Sequence, residues 1–378
     1  MKLIRKFTIA PLLLSLAPLA LAADTAPASS QSDFTSKVFQ VLAEKKGNLN
    51  FSPLSLKMAL ELVYWGSNGE TRSYFEKTFG FKDQNKEAFS KELALIKSSP
   101  EMTLKIADSV WYRDPNTFQP AYLNRLNQEK IDAAPIDVGA LNTWVSRETN
   151  GMIPKLLDGI PALMKTIFVN ALYFKADWVV PFDKRFTSNE TFHTDAKTGK
   201  SVPMMHQTAN FNYNEDEQVQ TLEMSYRSSP FEMVLILPKK RYGLAEIGKK
   251  TGLSEILKLA EAGQSQKVIL TLPKFKFETK AFMSDALTKA GYGKLFQGGD
   301  YSKLYKSDGQ HINDILQATQ IIVDEKGTEA AAATAVMMKS SAVMLTKKIV
   351  FQADQPFLFV LKNRETGEIY FLGRVEKP

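Results

Sequence analysis

Four alanines in a row, Ala330 to Ala333, come shortly after a β-branched stretch, Gln320 to Val323, that reads as a strand. No other part of the chain constrains the fold as much. Propensity favours a helix over 324–345, because alanine, methionine and lysine are good helix formers. Two features oppose it. The run follows a strand directly, and its helical face would be mostly alanine with a patchy apolar stripe, which buries little. On residue pattern alone the helix stays open, but any fold for this chain must house a long run of small residues beside a strand.

The rest is globular material. The chain has 378 residues, 44% hydrophobic and 24% charged, which suffices for one large core. No linker, repeat or low-complexity tract interrupts residues 33–378, so they read as a single domain. The start is a processing segment. Lys2, Arg5 and Lys6 make it basic, Ile9 to Leu21 is apolar, and Ala20-Leu21-Ala22 is a small-residue cleavage site. Residues 1–22 are expected to be a signal peptide and 23–32 a flexible tail. The apolar run is too short and proline-broken to span a bilayer, and no cysteine follows it to carry a lipid. Cysteine is absent altogether, so the exported fold must rest on its core. These features predict a secreted or periplasmic bacterial protein. Net charge is +7, with Lys2, Arg5 and Lys6 in the leader. Lys239-Lys240-Arg241 and Lys347-Lys348 read as solvated clusters, and no nucleic-acid or membrane partner is expected.

An amphipathic helix is expected over Asp33–Lys46, with Asp33 as cap, Phe34, Val38, Val41 and Leu42 on one face, and Gly47 as stop. Ser52-Pro53 caps and opens a second helix, apolar through Leu56, Leu60 and Val63 and ended by Gly66. Strands are expected at Thr103–Tyr112, Thr166–Phe174, Phe231–Leu237, Val268–Leu272, Gln320–Val323, Ile349–Phe351, Phe357–Leu361 and Glu368–Val375. Leu253–Ala262 and Ala281–Ala290 read as helices. Helices early and strands late give an α+β class.

A search for catalytic chemistry finds none. His193, His206 and His311 are far apart and lack metal-ligand spacing. There is no G-x-S-x-G elbow. Gly199-Lys200-Ser201 resembles the end of a phosphate loop, but Thr194 stands where its first glycine belongs. No enzyme activity, metal or cofactor is expected.

Asp324-Glu325-Lys326-Gly327-Thr328-Glu329-Ala330-Ala331-Ala332-Ala333-Thr334 resembles the hinge of an inhibitory serpin's reactive-centre loop. Other serpin signatures follow in family order. They are Asn50-Phe51-Ser52-Pro53-Leu54-Ser55, the run Phe168 to Trp178, Val202-Pro203-Met204-Met205, Leu272-Pro273-Lys274-Phe275, Ala353-Asp354-Gln355-Pro356-Phe357 and Gly373-Arg374-Val375. The resemblance covers about residues 33–378. It implies the serpin fold, with helices packed on three β-sheets and an exposed reactive-centre loop over about 325–348. It also implies a monomeric suicide-substrate inhibitor of serine, and also cysteine, proteases. A cut loop inserts into the central sheet while the protease is still bound as an acyl-enzyme, leaving a covalent 1:1 complex.

The resemblance implies site residues as well. Trp178, Lys274 and Glu325 match the breach at the top of the sheet. Ser52, Ser55 and Asn170 match the polar shutter beneath it, where Gln317 replaces the family's usual histidine. Counting about seventeen residues from the hinge glutamate, as in the family, places the scissile bond at Ser341–Ala342. Its small residues suit an elastase-like target. Val336, Met337, Met338, Lys339 and Val343 are alternative cut points, and Lys339 suits a trypsin-like protease. Alternation in an inserted strand puts Thr328, Ala330, Ala332, Thr334, Val336 and Met338 on one face, all uncharged, with Glu329 and Lys339 on the other. The alternative is a non-inhibitory carrier serpin. Such members tend to carry bulky, charged or proline hinge residues, which this hinge lacks.

Overall fold

The computed structural model describes residues 28–82, 102–250, 252–307, 309–328 and 348–378. The chain begins with α1 (Ala28–Leu42), β1 (Leu49–Phe51), α2 (Pro53–Trp65) and α3 (Gly69–Phe79). Next come β2 (Met102–Tyr112), α4 (Pro120–Gln128), β3 (Asp132–Pro135), α5 (Val138–Glu148) and β4 (Thr166–Asp177). A run of strands follows: β5 (Ser188–His193), β6 (Gly199–Glu215), β7 (Val219–Ser225) and β8 (Phe231–Pro238). Then come α6 (Leu244–Lys250), α7 (Leu253–Glu261), β9 (Gln264–Pro273), β10 (Phe275–Phe282) and α8 (Ser284–Leu287). The last strands are β11 (Asp314–Val323), β12 (Gly327–Thr328), β13 (Ile349–Gln352), β14 (Phe357–Asn363) and β15 (Ile369–Val375).

Hydrogen bonding among the described residues forms two sheets, where three were expected. One has six strands in the order β10-β11-β12-β4-β2-β3. The other has nine, in the order β1-β15-β14-β8-β7-β6-β9-β13 with β5 beside β6. The larger sheet is two halves made continuous by the long β6. The start of β6 pairs with β5, while its far end, Asn212–Glu215, pairs with Gln220–Glu223 of β7. Strands β8, β14 and β15 are buried on both faces, so each is apolar along most of its length, with Glu232, Lys362, Asn363 and Arg374 as buried exceptions.

The first helix departs from expectation at both ends. It begins at Ala28, inside the segment read as a flexible tail. Asp33 therefore lies inside the helix rather than at its cap, and its carboxylate pairs with Lys37 one turn on, at 2.7 Å. It stops at Leu42 rather than Lys46. The Arg374 guanidinium takes the carbonyls of Ala43 (2.8 Å), Gly47 (3.0 Å) and Lys45, which holds the chain in a turn. The second helix is as expected: the Ser52 Oγ accepts from the Ser55 N–H at 3.2 Å, and Pro53 opens the first turn. Ala281 and Phe282, read as helical, end β10 instead, and β11 extends back to Asp314.

Two hydrophobic layers flank the small sheet. On one side α2, α3, α4 and α8 pack against Phe168 and Ile315. On the other, Leu141, Trp144 and Val145 of α5 cover Ile167, Val169 and Ala171 of β4 and Leu316 and Ala318 of β11. Helix α5 therefore lies across the boundary between β4 and β11.

Gly373 of β15 packs under the Phe359 ring. A Cβ there would lie 2.1 Å from the ring and 2.7 Å from the Leu49 carbonyl. Gly373→Ala is expected to cost on the order of 1–3 kcal/mol and lower the melting temperature by several degrees. Thermal unfolding followed by circular dichroism checks this.

Candidate functional site

Strands β4 and β11 run parallel, and they pair directly only from Ile167–Leu172 with Asp314–Thr319. Above Leu172 they part. Gly327 and Thr328 sit between their upper ends, with Thr328 opposite both Ala176 and Val323. These two residues thus wedge open the top of a parallel pair. Gly327 fits because it has no side chain: a Cβ would come 2.1 Å from the Ala176 carbonyl oxygen and 2.7 Å from the Asp177 Cα. Thr328 points inward and shares a hydrogen bond of 2.7 Å with the Tyr226 hydroxyl.

The wedge is held from outside by Trp178, Lys274 and Glu325, which the structure brings together. The Trp178 N–H donates to the Lys326 carbonyl (2.8 Å), and its indole N–H donates to the Asp324 carbonyl (3.1 Å). The Glu325 carbonyl accepts from Phe182 N–H at 2.7 Å. Its carboxylate receives Lys274 Nζ (2.8 Å) and the Thr187 hydroxyl (3.0 Å). Burial pushes the Glu325 carboxyl up, but bonds from Lys274, its own backbone and Thr187 outweigh this and hold it below the usual range. Such a group stabilises the native state above its unfolded pKa, and the contribution fades as pH falls through the lowered one. The loop expected to be exposed from Glu325 is therefore buried at its root: Glu325 is 4% exposed and Thr328 2%.

Tyr226, which sequence reasoning missed, stacks on Trp178 at 4.3 Å and meets Thr328. It follows β7 directly and forms an antiparallel bridge with Trp178, and its one local signal is that it continues the alternation of Leu222 and Met224 into the same core. Burial pushes its phenol well above the usual range.

Ser52, Ser55, Asn170 and Gln317 also converge, below the wedge. Asn170 and Gln317 face each other across the β4–β11 pair. The Gln317 amide grips Ser52 at two points, accepting from its N–H (3.1 Å) and donating to its carbonyl (2.8 Å). It also donates to Ser55 Oγ at 3.1 Å. The Ser55 hydroxyl donates to Asn170 Oδ1, and Asn170 Nδ2 donates to Asp108 at 2.9 Å. Asp108 is a further member of this layer that the sequence reading did not single out.

Glu329 to Thr334, Val336 to Lys339, and Ser341 to Val343 lie outside the described residues. The histidines do not meet. His206 bonds Glu190 (2.6 Å) and Thr271 (3.1 Å), while His193 and His311 sit elsewhere. In the basic cluster, Lys239 pairs with Glu215, Lys240 with Glu246, and Arg241 with Asp354, all within 2.9 Å.

The family model described as Serpin (serine protease inhibitor) matches residues 29–378. An uncharacterized serpin-like protein of Thermococcus kodakarensis is 33% identical over 91% of this chain and 84% of its own. Leukocyte elastase inhibitor A of Rattus norvegicus is 32% identical over 93% of this chain and 99% of its own. Among solved structures, Serpin48 of the insect Tenebrio molitor superposes with a TM-score of 0.81 at 27% identity, covering 93% of this chain and 97% of the other.

The Tyr226–Thr328 pair can be isolated by mutation. Tyr226→Phe and Thr328→Val should each destabilise the native state by about 1–3 kcal/mol, by leaving one buried hydroxyl unpaired. The double variant should cost little more than either single one, because neither hydroxyl remains to be satisfied. Denaturant unfolding of the four proteins checks this.

Proposed function

We propose that this chain, which belongs to the serpin family, is an inhibitory member that traps serine proteases, and also cysteine proteases, as a suicide substrate. It is not an enzyme: the protease supplies the chemistry and the serpin supplies bait and movement. The observation that carries the reading is the seating of Gly327 and Thr328 between β4 and β11. They are the first rungs of a strand that the sheet can complete.

Extending the pairs Thr328–Ala176 and Thr328–Val323 in register assigns each following residue a place. Ala330 would enter between Phe174 and Ile321, and Ala332 between Leu172 and Thr319. Thr334 would enter between Asn170 and Gln317, and Val336 between Phe168 and Ile315. The small residues come where the neighbours are bulky, and the hydroxyl comes at the polar layer. Thr328 already faces Tyr226 in the interior, so Glu329 would take the opposite face. No charge is carried into the core.

About ten new ladder bonds at ~1 kcal/mol each, with apolar burial, give on the order of 10 kcal/mol, comparable to the whole stability of a domain. A loop tethered at both ends cannot collect it, and a cut loop can. The native state is then kinetically trapped. When a protease cuts the loop and remains esterified to it, insertion drags the protease along the sheet before the ester is hydrolysed.

Ser341–Ala342 is the proposed reactive bond for elastase-like proteases, and the likeness to an elastase inhibitor supports that class. Lys339 offers a second site for trypsin-like ones. We propose further that the protein is exported by its leader and acts as a monomer. The carrier reading is disfavoured by Gly327 and Thr328, which fill the wedge without bulk or charge.

Mixing with elastase should give an SDS-stable 1:1 adduct, and the nicked protein should melt at a higher temperature than the intact one. Thr328→Arg should be cut at an unchanged rate but form no adduct, because the guanidinium would have to enter beside Tyr226. A stable adduct from that variant, or equal melting of nicked and intact protein, would overturn the reading.

A further inference from the structure

The polar layer under the β4–β11 seam contains one group that can titrate. Asp108 of β2 is 8% exposed and lies opposite Asn170 of β4 in the ladder. Its carboxylate ends the chain Gln317–Ser55–Asn170–Asp108. Two groups act on it among the described residues: the Asn170 amide and the carboxyl of Glu61, on the facing helix α2. Glu61 bonds Trp65 and feels Arg125, Lys57 and Glu129. The acid pair thus faces itself across α2 and β2, with the surrounding cations acting on Glu61. Burial, opposed by the Asn170 bond and reinforced by Glu61, pushes the Asp108 carboxyl up to about 7. Burial pushes Glu61 up as well.

The layer is fastened unequally. Strands β2 and β4 share a ladder of eleven residue pairs, from Met102–Ala176 to Tyr112–Thr166. Helix α2 is tied to β11 by three bonds from Gln317, and to β4 by the single Ser55–Asn170 bond. If the seam parts, β2 and β4 leave together, and Asp108 goes with them. The motion takes it away from Glu61 and lets water reach it.

We propose that Asp108 is the proton-responsive positioning residue of the seam, whose neutral form holds the sheet closed and whose ionisation favours opening. This rests on the reading of the seam as the slot for the loop. Gln317 does not titrate, so within this layer a response to pH falls to Asp108 on β2. The sign follows from linkage. The closed sheet keeps the proton that the open or unfolded chain releases, so closure weakens as pH rises from the carboxylate range through about 7.

The test compares wild type with Asp108→Asn, which keeps an acceptor for Asn170 but cannot ionise. Intact protein is incubated at 37 °C between pH 5.5 and 8, then assayed for residual adduct formation with elastase at one fixed pH. The rate at which wild type loses activity should rise about tenfold across this range, a free-energy change of one pKa unit, while Asp108→Asn stays flat. Melting temperatures of intact protein should diverge likewise, wild type falling below the variant as pH rises. Glu61→Gln removes the opposing carboxyl on a half-buried helix face. It should shift the wild-type transition to lower pH, and it serves as the test if Asp108→Asn does not fold. Parallel pH profiles for wild type and Asp108→Asn, or no shift in Glu61→Gln, overturn the proposal. If wild type forms no adduct at any pH while the melting curves diverge as stated, the inhibitory reading falls and the proton lock stands.

Discussion

Two parallel strands that hydrogen-bond along only part of their length set the terms for the rest of this molecule. Below Leu172 and Thr319, β4 and β11 close on each other; above, they are held apart by two residues. A parallel pair normally needs a long connection, and here that connection is most of the second half of the domain. Strands β5 to β10 and helices α6 to α8 lie on that connection and bring β11 back beside β4. The central ladder is left incomplete above Leu172 and Thr319, and this is where the family's movement takes place.

Much of this was legible in the residues, for reasons of periodicity. Helix α2 announced itself by Ser52-Pro53, strand β4 by a nearly continuous apolar run, and β8 by an apolar stretch closed by Pro238. Strand β10 was missed, although Phe275, Phe277 and Thr279 alternate with Lys276, Glu278 and Lys280. The neighbouring Ala281–Ala290 drew the helical reading across its end. Strand β6 was hidden by its polar side chains and Pro203, because one face of it meets solvent for most of its length. The third expected sheet merged with the second through a ladder whose register only the folded chain sets.

The site divides the same way. Trp178, Lys274 and Glu325, and likewise Ser52, Ser55, Asn170 and Gln317, could be named from family motifs, because each sits in a run of distinctive residues. Tyr226 could not, since it reaches Trp178 and Thr328 from the end of β7, and the alternation with Leu222 and Met224 marks it as core without showing which strand it meets. Asp108 stood in plain view as an acid inside an otherwise strand-like run, Leu104 to Tyr112. Burial of a carboxyl in a strand costs free energy unless it is paired, and that cost was the signal to read.

Two buried side chains near β11 carry polar atoms that the described residues leave unsatisfied. Asn50 is 1% exposed, and neither its amide nitrogen nor its oxygen finds a partner, while Gln320 Oε1 on β11 is also unpaired. Buried groups of this kind are uncommon in native proteins, and each weakens the state that contains it. Both lie near β11. Asn50 is tied to it through the Thr319 hydroxyl at 2.9 Å, and Gln320 is the first residue of β11 above its direct ladder with β4. An apolar side chain at either position would need no partner, whereas Asn50 and Gln320 leave the flank of β11 dependent on water to satisfy them.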